Sequence, residues 1–463
     1  MKKLLLGSTA LVAGGLMAAP AMAADPIKLG LGGYYQFFVN AGGIESVYAL
    51  NGTSLQYRGL SFYQEGEIYF NGQTKLDNGT TIGLQVELEG WNPGATTGNP
   101  NSAGTATGGG AISQIDEAYL FAFGDWGRVE FGSRDQATYR MYYGTPSAVG
   151  AYLGFFQHNS GATWIGTAGG VNKAAGGISF FTIGGEMQDV NRINYYTPRF
   201  MGLQIGVGYA PKVNAGGYTG FARIGGPGAV GSICGFTDAT AATACPTNDY
   251  SWQDFVDVGA NYLNKFGDVT VAAFGAFSYA TFIPGLQPLA SQASLISGAN
   301  NTNWKQWVVG LQFGYAGFTV GGSYGYDNLG LGSNYYTGVD NDNRKFTAGI
   351  MYETGPWQAS FAWGHIVNDN GNGSVSAVNI SAGTSVINVA AAANSQAAFG
   401  GNPNNGGLNF GAEQADKFEL GASYALGPGI KVLGGGVYYN VAGQSNITAQ
   451  QSWQLFLGMD LRF

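Results

Sequence analysis

Residues 65–89 read EGEIYFNGQTKLDNGTTIGLQVELE, and this stretch decides the fold. After the Asp-Asn-Gly turn, apolar residues fall at every second position: Ile82, Leu84, Val86 and Leu88. The residues between them are polar or glycine, which is the period-2 pattern of a strand with one apolar face. The segment before the turn alternates in the same way around Ile68 and Phe70. Two alternating runs joined by a short Gly-containing turn predict a β-hairpin.

The same alternation recurs to the end of the chain and predicts sixteen strands. They lie at roughly 27–40, 55–75, 80–91, 112–123, 127–134, 190–198, 201–210, 252–263, 268–280, 304–315, 318–326, 343–353, 357–366, 415–425, 429–440 and 451–463. Most have about the 9–11 residues that a tilted strand needs to cross a bilayer. After the N-terminal segment the sequence has no run of 18 apolar residues, so it predicts no membrane-spanning helix there.

The connections between these strands alternate between short and long. The long ones fall near 41–54, 92–111, 135–189, 211–251, 281–303, 327–342, 367–414 and 441–450. An even strand number then places all short turns at one end and all long loops at the other. We therefore predict an all-β fold, a 16-stranded antiparallel transmembrane β-barrel with short periplasmic turns and long extracellular loops. A secreted sandwich or β-helix is the alternative, but Trp and Tyr at strand ends, such as Trp126, Trp304, Trp357 and Trp453, favour interfacial girdles.

Composition excludes several classes of protein. The 463 residues carry a formal charge of −8, with 10% charged and 14% aromatic residues, 79 Gly, 2 Cys and 2 His. Such a chain is too aromatic to be disordered, too acidic for a nucleic-acid binder and too poor in His and Cys for a metal site built from them. We expect no cofactor and no metal.

The first residues predict export. A basic start at 1–3 precedes an apolar run at 4–19 and an Ala-Met-Ala cleavage signal at 21–23. We interpret 1–23 as a signal peptide and 24–463 as the mature barrel. In an exported protein, Cys234 and Cys245 are expected to form a disulfide within one loop.

A sixteen-stranded barrel leaves an aqueous lumen, so charged residues are expected on its inner face. Alternation places the following acids there: Glu65, Glu67, Glu87, Glu89, Glu130, Asp257, Glu353, Glu419, Asp460 and one of Asp116 and Glu117. The bases are Lys75, Arg128, Arg192, Lys345, Lys417, Lys431 and Arg462. Arg58 joins them only if a bulge near Gly59 turns it inward. These charges either pair to hold neighbouring strands in register or create a transverse field that orients solutes.

No catalytic constellation is found, so we do not expect an enzyme. The Gly-Gly-Ser-Tyr-Gly segment at 321–325 matches G-x-S-x-G but continues a period-2 strand, whereas a nucleophile elbow needs a strand–turn–helix. We consider three hypotheses for the barrel: a passive channel for small hydrophilic solutes, a solute-selective channel, and an enzyme or adhesin built on a barrel.

Five stretches resemble the general diffusion porins of Gram-negative outer membranes, of the alphaproteobacterial kind. They are Tyr57-Arg58-Gly59-Leu60, the turn at 75–79, the segment GRVEFGSRD at 127–135, the segment RINYYTPRF at 192–200, and the terminal Phe463. The resemblance spans the mature chain. Tyr57 and Thr197 each stand where the family pattern has Ser, and the segment at 192–200 has an inserted residue or two.

This resemblance implies a homotrimer of barrels whose third loop, here about 135–189, folds inward and narrows each pore. It also implies that loop acids Asp135, Glu186 and Asp189 face wall arginines Arg58, Arg128 and Arg192, and that Phe463 is an outer-membrane assembly signal. The loop departs from the family by its few acids and many aromatics, such as Tyr139, Tyr142, Tyr143, Phe155 and Trp164.

We therefore expect a porin of the cell outer membrane. It would carry small hydrophilic solutes and ions by passive diffusion, with a weak cation preference, while its outer face contacts outer-membrane lipid. The aromatic loop leaves a solute-selective channel, for example for sugars, as the alternative.

Overall fold

The computed structural model describes residues 26–48, 54–90, 115–150, 190–212, 251–283, 302–328, 342–368, 413–444 and 447–463. The predicted signal peptide 1–23, the loop acids Glu186 and Asp189, and the cysteines Cys234 and Cys245 lie outside these residues. Among the described residues, no helix has the length and hydropathy of a membrane span.

The chain forms a closed barrel of sixteen antiparallel strands, which confirms the predicted fold class. The strands are β1 Lys28–Tyr48, β2 Ser54–Lys75, β3 Thr81–Glu89, β4 Ile115–Gly124, β5 Gly127–Arg134, β6 Val190–Tyr196, β7 Leu203–Lys212, β8 Ser251–Phe266, β9 Val269–Ile283, β10 Trp304–Tyr315, β11 Phe318–Asp327, β12 Asn343–Thr354, β13 Trp357–Asn368, β14 Glu413–Gly427, β15 Ile430–Gln444 and β16 Ile447–Arg462. Each strand pairs with its neighbours in the sequence, and β1 pairs with β16 to close the sheet. Closure leaves no unpaired edge, which is what a sheet in lipid requires.

Two connections differ from the sequence prediction. The first strand runs on to Tyr48, so the loop expected at 41–54 is shorter. The last loop was expected at 441–450, but β15 ends at Gln444 and β16 begins at Ile447. Their paired register continues through segments rich in polar and small residues, in which the apolar alternation fades.

Residues with a left-handed backbone form the tight turns. Tyr315 pairs with Phe318 across Ala316 and Gly317, whose φ angles are 50° and 84°. Positive φ at both central residues is the geometry that matches the twist of a two-residue hairpin. The same conformation recurs at Met201 and Gly202, with φ of 48° and 91°.

Apolar side chains cover the outer face, and aromatic pairs flank both ends of the barrel. Trp357 packs against Tyr424 beside a short turn, with ring centroids 4.6 Å apart. Trp307 packs against Tyr324 nearer the long loops, with centroids 5.4 Å apart. Trp304 does not belong to this girdle, contrary to the prediction, because it is 3% exposed and packs inside the barrel.

The bulge near Gly59 that would be needed to turn Arg58 inward is absent. The register between β1 and β2 runs without interruption from Lys28 opposite Gln73 to Val47 opposite Ser54. Arg58 therefore shares the outer face with Leu60, and its guanidinium lies 3.6 Å from the Glu45 carboxylate. A register shift occurs instead between β3 and β4, at Val86 and Leu88.

Candidate functional site

The alternation of each strand points polar and small side chains into the barrel. Sixteen strands enclose a lumen too wide for wall side chains alone to fill. Gln312, Ser323, Thr347 and Ser360 are examples of inward residues from four strands, and each contacts the loop that follows β5. The structure thus places one loop segment inside the barrel.

We call residues 138–149 of this third loop the belt. It contains a short 3-10 turn, Tyr139–Met141, and continues in an open conformation along the inner face of β8 to β14. Six strand spacings of about 4.8 Å measure about 29 Å, and eleven residue steps at about 3.3 Å reach about 36 Å. An extended segment of twelve residues is therefore long enough to pass across β8 to β14 and to contact almost every strand on the way.

A buried ion pair anchors the beginning of the belt. The Thr138 backbone N–H donates to Asp257 Oδ2 at 3.0 Å, and Arg192 Nη1 lies 3.3 Å from Asp257 Oδ1. The Arg192 and Asp257 side chains are both 0% exposed. Asn261 also donates to the Met141 carbonyl at 3.0 Å. These bonds fix the belt against β8.

Neutral hydrogen bonds hold the middle of the belt. The Tyr142 hydroxyl and Ser323 Oγ lie 2.7 Å apart, and Thr145 Oγ1 donates to Thr347 Oγ1 at 2.6 Å. Gln312 Nε2 donates to the Gly144 carbonyl at 2.7 Å. These contacts tie the belt to β10, β11 and β12 in turn.

A second buried ion pair anchors the far end. Ser147 Oγ donates to Glu419 Oε1 at 2.5 Å, and Lys417 Nζ lies 3.5 Å from Glu419 Oε2. The Ala148 N–H donates to Ser360 Oγ at 2.9 Å. The belt is therefore fixed at both ends by a carboxylate that is itself neutralised by a buried base.

Glu130 organises the charges where the belt leaves the wall. Its carboxylate lies 2.7 Å from Arg128 Nε, 3.4 Å from Arg134 Nε and 3.5 Å from Arg140 Nη1. Arg134 also pairs with Glu117 and lies 3.8 Å from Glu87. Of the three arginines, Arg128 and Arg140 keep 30% and 48% of their side chains exposed to the lumen.

Asp135, one of the predicted loop acids, lies at this same junction. Its N–H donates to Glu117 Oε1 at 3.0 Å, and its carbonyl accepts from Asn194 Nδ2 at 2.8 Å. Burial raises the pKa of the Asp135 carboxyl to about 6, although Arg134 and Arg192 oppose the shift. This acid therefore titrates nearer to neutrality than an ordinary aspartate.

The inner face of β2 to β4 concentrates carboxylates, and we call it the acidic wall. It comprises Glu65, Glu67, Glu87, Glu89 and Asp116. Oxygens of Glu67, Glu89 and Asp116 lie within 4.8 Å of one another. Tyr34 donates to both Glu65 and Glu67, at 3.1 Å each, and Tyr69 donates to Glu67 at 2.8 Å.

The register shift in β3–β4 explains how Asp116 reaches this wall. The sequence allowed only one of Asp116 and Glu117 to face inward, and the structure places both there: Asp116 among the glutamates and Glu117 on Arg134. An extra residue on one strand breaks the strict alternation. Strand periodicity alone does not reveal such a bulge.

The predicted constriction residues are therefore distributed over different places. Arg128 and Asp135 lie at the base of the belt, Arg192 lies beneath it, and Arg58 stands on the outer face. Lys75 is the last residue of β2, at the short-turn end, and pairs with Thr81. Neither Arg134 nor Arg140 was among the predicted site residues. Arg134 does stand in the quoted 127–135 segment, whereas no pattern marks Arg140.

The closed barrel, its inward polar face and the loop inside it define an outer-membrane channel protein. The chain matches the Gram-negative porin family over residues 7–444, so it belongs to that family. It is accordingly an outer-membrane β-barrel that forms a porin channel.

More specific similarities are distant. Uncharacterized protein RC0098 of Rickettsia conorii is 23% identical over 268 residues, which cover 53% of this chain and 61% of that protein. Uncharacterized protein RT0064 of Rickettsia typhi is 22% identical over 198 residues, 40% of this chain and 45% of that protein. The chain thus spans less than two thirds of the length of these relatives.

Solved structures that resemble the barrel include the following two. The outer membrane channel DcaP of Acinetobacter baumannii has a TM-score of 0.49 at 12% identity, covering 95% of this chain and 98% of that one. The anion-selective porin from Comamonas acidovorans has a TM-score of 0.45 at 14% identity, covering 94% and 100%. Likeness at this level does not bear on what the channel passes.

Proposed function

We propose that this porin is a passive diffusion channel for small hydrophilic solutes and ions, with a weak preference for cations. The observation that carries the proposal is the belt inside the barrel next to an acidic wall. The belt reduces the lumen and so limits solute size. The acidic wall biases the field felt by a permeating ion.

The cation preference rests on which charges are neutralised. Arg192 is buried against Asp257, Lys417 is buried against Glu419, and Arg58 stands outside the lumen. Among the described residues at the level of the belt, the partly exposed bases are Arg128 and Arg140, and both contact Glu130. The partly exposed acids Glu65, Glu67, Glu89 and Asp116 outnumber them.

We assign the constriction to Arg128, Arg140 and Asp135 at the base of the belt and to the acidic wall beside it. Glu186 and Asp189 stay predictions for the rest of the third loop. Arg192 would act there only by anchoring the belt, because its side chain is 0% exposed.

A sugar-selective pore is less well supported by the described aromatics. A sugar stacks on an open ring face, but Tyr142 packs against Phe274 with centroids 5.6 Å apart. Arg128 covers the Phe121 ring at 4.6 Å, and Arg134 covers the Tyr119 ring at 4.5 Å. These rings are already occupied by the protein's own groups.

The remaining features of the proposal concern assembly. We propose a homotrimer in outer-membrane lipid, export by the 1–23 signal peptide, a Cys234–Cys245 disulfide, and recognition of Phe463 during insertion. The backbone of Phe463 pairs with Gly33 across the closing strands, at 3.0 and 3.1 Å, while its ring is exposed to the outside. An exposed terminal ring is accessible to an assembly factor. We propose no enzymatic activity.

Single-channel recording in a planar bilayer tests the proposal. We expect current steps in groups of three and a reversal potential under a KCl gradient that indicates cation preference. An anion-biased reversal potential would contradict the charge argument while keeping the pore. Block by millimolar sugar would favour the selective channel, and folded protein without conductance would refute the diffusion function.

A further inference from the structure

The belt lies on glycines of the inner wall. Six strands place an inward-facing glycine beneath it: Gly206, Gly259, Gly310, Gly321, Gly349 and Gly421. They belong to β7, β8, β10, β11, β12 and β14, so the glycines follow the course of the belt around the wall. Because glycine has no Cβ, the wall is recessed along this line.

A side chain at these positions would collide with the belt. A Cβ on Gly310 would overlap the Tyr143 carbonyl oxygen, and one on Gly321 would lie 2.6 Å from the Gly144 carbonyl oxygen. Both obstacles are backbone atoms, which cannot rotate away as a side chain can. Carbon and oxygen atoms need more than 3 Å, so the chain itself would have to shift by about 1 Å.

Further along the belt, the obstacle is a side chain. A Cβ on Gly349 would lie 2.7 Å from Thr145 Cγ2, and one on Gly421 would lie 2.7 and 2.8 Å from the Val149 methyl groups. The Thr145 hydroxyl is engaged with Thr347 at 2.6 Å, which holds that methyl group in place.

An inward glycine of the same strand that lies away from the belt does not meet this restriction. Gly314 lies on β10, on the same face as Gly310 and four residues away, and the nearest neighbour of a Cβ there would be Thr270 Cβ at 3.4 Å. That is ordinary van der Waals contact. At Gly310 the close approach is therefore due to the belt. At Gly321 and Gly349 a Cβ would also approach a carbonyl oxygen of the neighbouring strand, that of Leu311 at 2.8 Å and that of Phe361 at 3.0 Å.

We propose that Gly310, Gly321 and Gly349 are positioning residues that set the depth of the belt in the wall and hence the free cross-section of the pore. The two ion-pair anchors fix where the belt runs, and the glycines fix how far it protrudes. This inference rests on the proposed diffusion function, because it concerns the area through which solutes pass.

Single-channel conductance of full-length, refolded protein tests the inference. Gly310→Ala and Gly321→Ala should push the belt inward by about 1 Å and lower the unit conductance by about 1.2- to 2-fold. Gly314→Ala is the matched control and should conduct as the parent does. Unit conductance is a property of each open channel, so a lower yield of folded protein does not change it.

A compensating pair separates positioning from general destabilisation. Gly349→Ala should lower the conductance, and adding Thr145→Ser should restore most of it, because serine keeps the hydroxyl and lacks the obstructing methyl group. This pair also decides the matter if Gly310→Ala does not refold.

The outcomes distinguish this inference from the proposed function. If the parent and Gly314→Ala conduct but the belt variants conduct equally well, the positioning role is wrong and the diffusion function stands. If Thr145→Ser fails to restore a lowered conductance, the contact between residue 349 and the Thr145 methyl group is not the cause. If the folded parent does not conduct, the proposed function fails first and this inference with it.

Discussion

The inner face under the belt and the acidic wall both consist of alternating strands, yet their charged side chains are arranged differently. Under the belt, Asp257 and Glu419 are each buried with a base of their own, Arg192 and Lys417. On the acidic wall, Glu67, Glu89 and Asp116 stand side by side with their oxygens within 4.8 Å.

Solvent explains the difference. A charge removed from water needs a partner, because desolvation costs several kcal/mol per ion. The belt excludes water from the wall beneath it, so charges there occur as pairs. The acidic wall is partly exposed to the lumen, where water and tyrosine hydroxyls can stabilise neighbouring carboxylates. The first region thus fixes the belt inside the barrel. The second is the region that we propose to set the electric field in the pore.

The largest effect is expected from breaking the first anchor. Asp257→Asn removes the charge opposite Arg192 and should destabilise the barrel by about 3–5 kcal/mol, because a buried guanidinium loses the carboxylate that lies 3.3 Å from it. Urea unfolding of the refolded protein measures the change. The matched control is Glu45→Gln in the exposed pair with Arg58, for which we expect about 0–1 kcal/mol. Equal effects from both variants would remove the distinction between buried and exposed pairs.

The second anchor offers a test by double substitution. Lys417→Met should destabilise by about 2–4 kcal/mol, because Glu419 then stays buried without its base. Adding Glu419→Gln should recover most of the loss, since glutamine is neutral and still accepts a hydrogen bond from Ser147. If the double variant is less stable than Lys417→Met, the uncompensated charge of Glu419 is not the cause of the loss.

The acidic wall is expected to control selectivity and not stability. The triple variant Glu67→Gln, Glu89→Gln and Asp116→Asn should lower the cation-to-anion permeability ratio about threefold, measured as a reversal potential under a KCl gradient. Glu45→Gln removes an acid from the outer face and should leave the ratio unchanged. An unchanged ratio in the triple variant would place the selectivity elsewhere in the pore.

Arg140 should act in the opposite direction and more weakly. Arg140→Gln removes a partly exposed positive charge from the belt and leaves more of the Glu130 charge uncompensated, so we expect the permeability ratio to rise about 1.5-fold. Arg344→Gln, which removes a base from the outer face, is the control. An unchanged ratio would show that Arg140 does not face the permeating ions, and a fall would contradict the expected sign.

The last expected effect concerns stability and not permeation, and it is a pH dependence from Asp135. Burial raises the pKa of this carboxyl to about 6, above its usual value, so folding favours the protonated form. Its stabilising contribution is therefore complete below about pH 4 and is lost as pH rises through about 6. Asp135→Asn should cancel that loss and gain up to about 2 kcal/mol relative to the parent between pH 5 and 7.5. Parallel unfolding curves at both pH values would contradict the shift.

The sequence by itself determined the barrel. Period-2 alternation and turn residues are local signals, so all sixteen strands and the short turns could be located without coordinates. The inward position of Glu65, Glu67, Glu87, Glu89 and Glu130 follows from the same alternation. It fails only where the chain is locally irregular, as at the bulge that brings Asp116 inward.

Only the tertiary structure decided which inward charges meet. The belt bonds join residues 119 positions apart at Thr138 and Asp257, and 272 positions apart at Ser147 and Glu419. No local pattern encodes such contacts, because they depend on the closure of the sheet and the path of a loop inside it. Arg58 was expected in the pore through a bulge near Gly59 and through the family resemblance, whereas strand alternation alone places it outside with Leu60, as the structure does. The recess that receives the belt also exists only when glycines of six separate strands are brought into line.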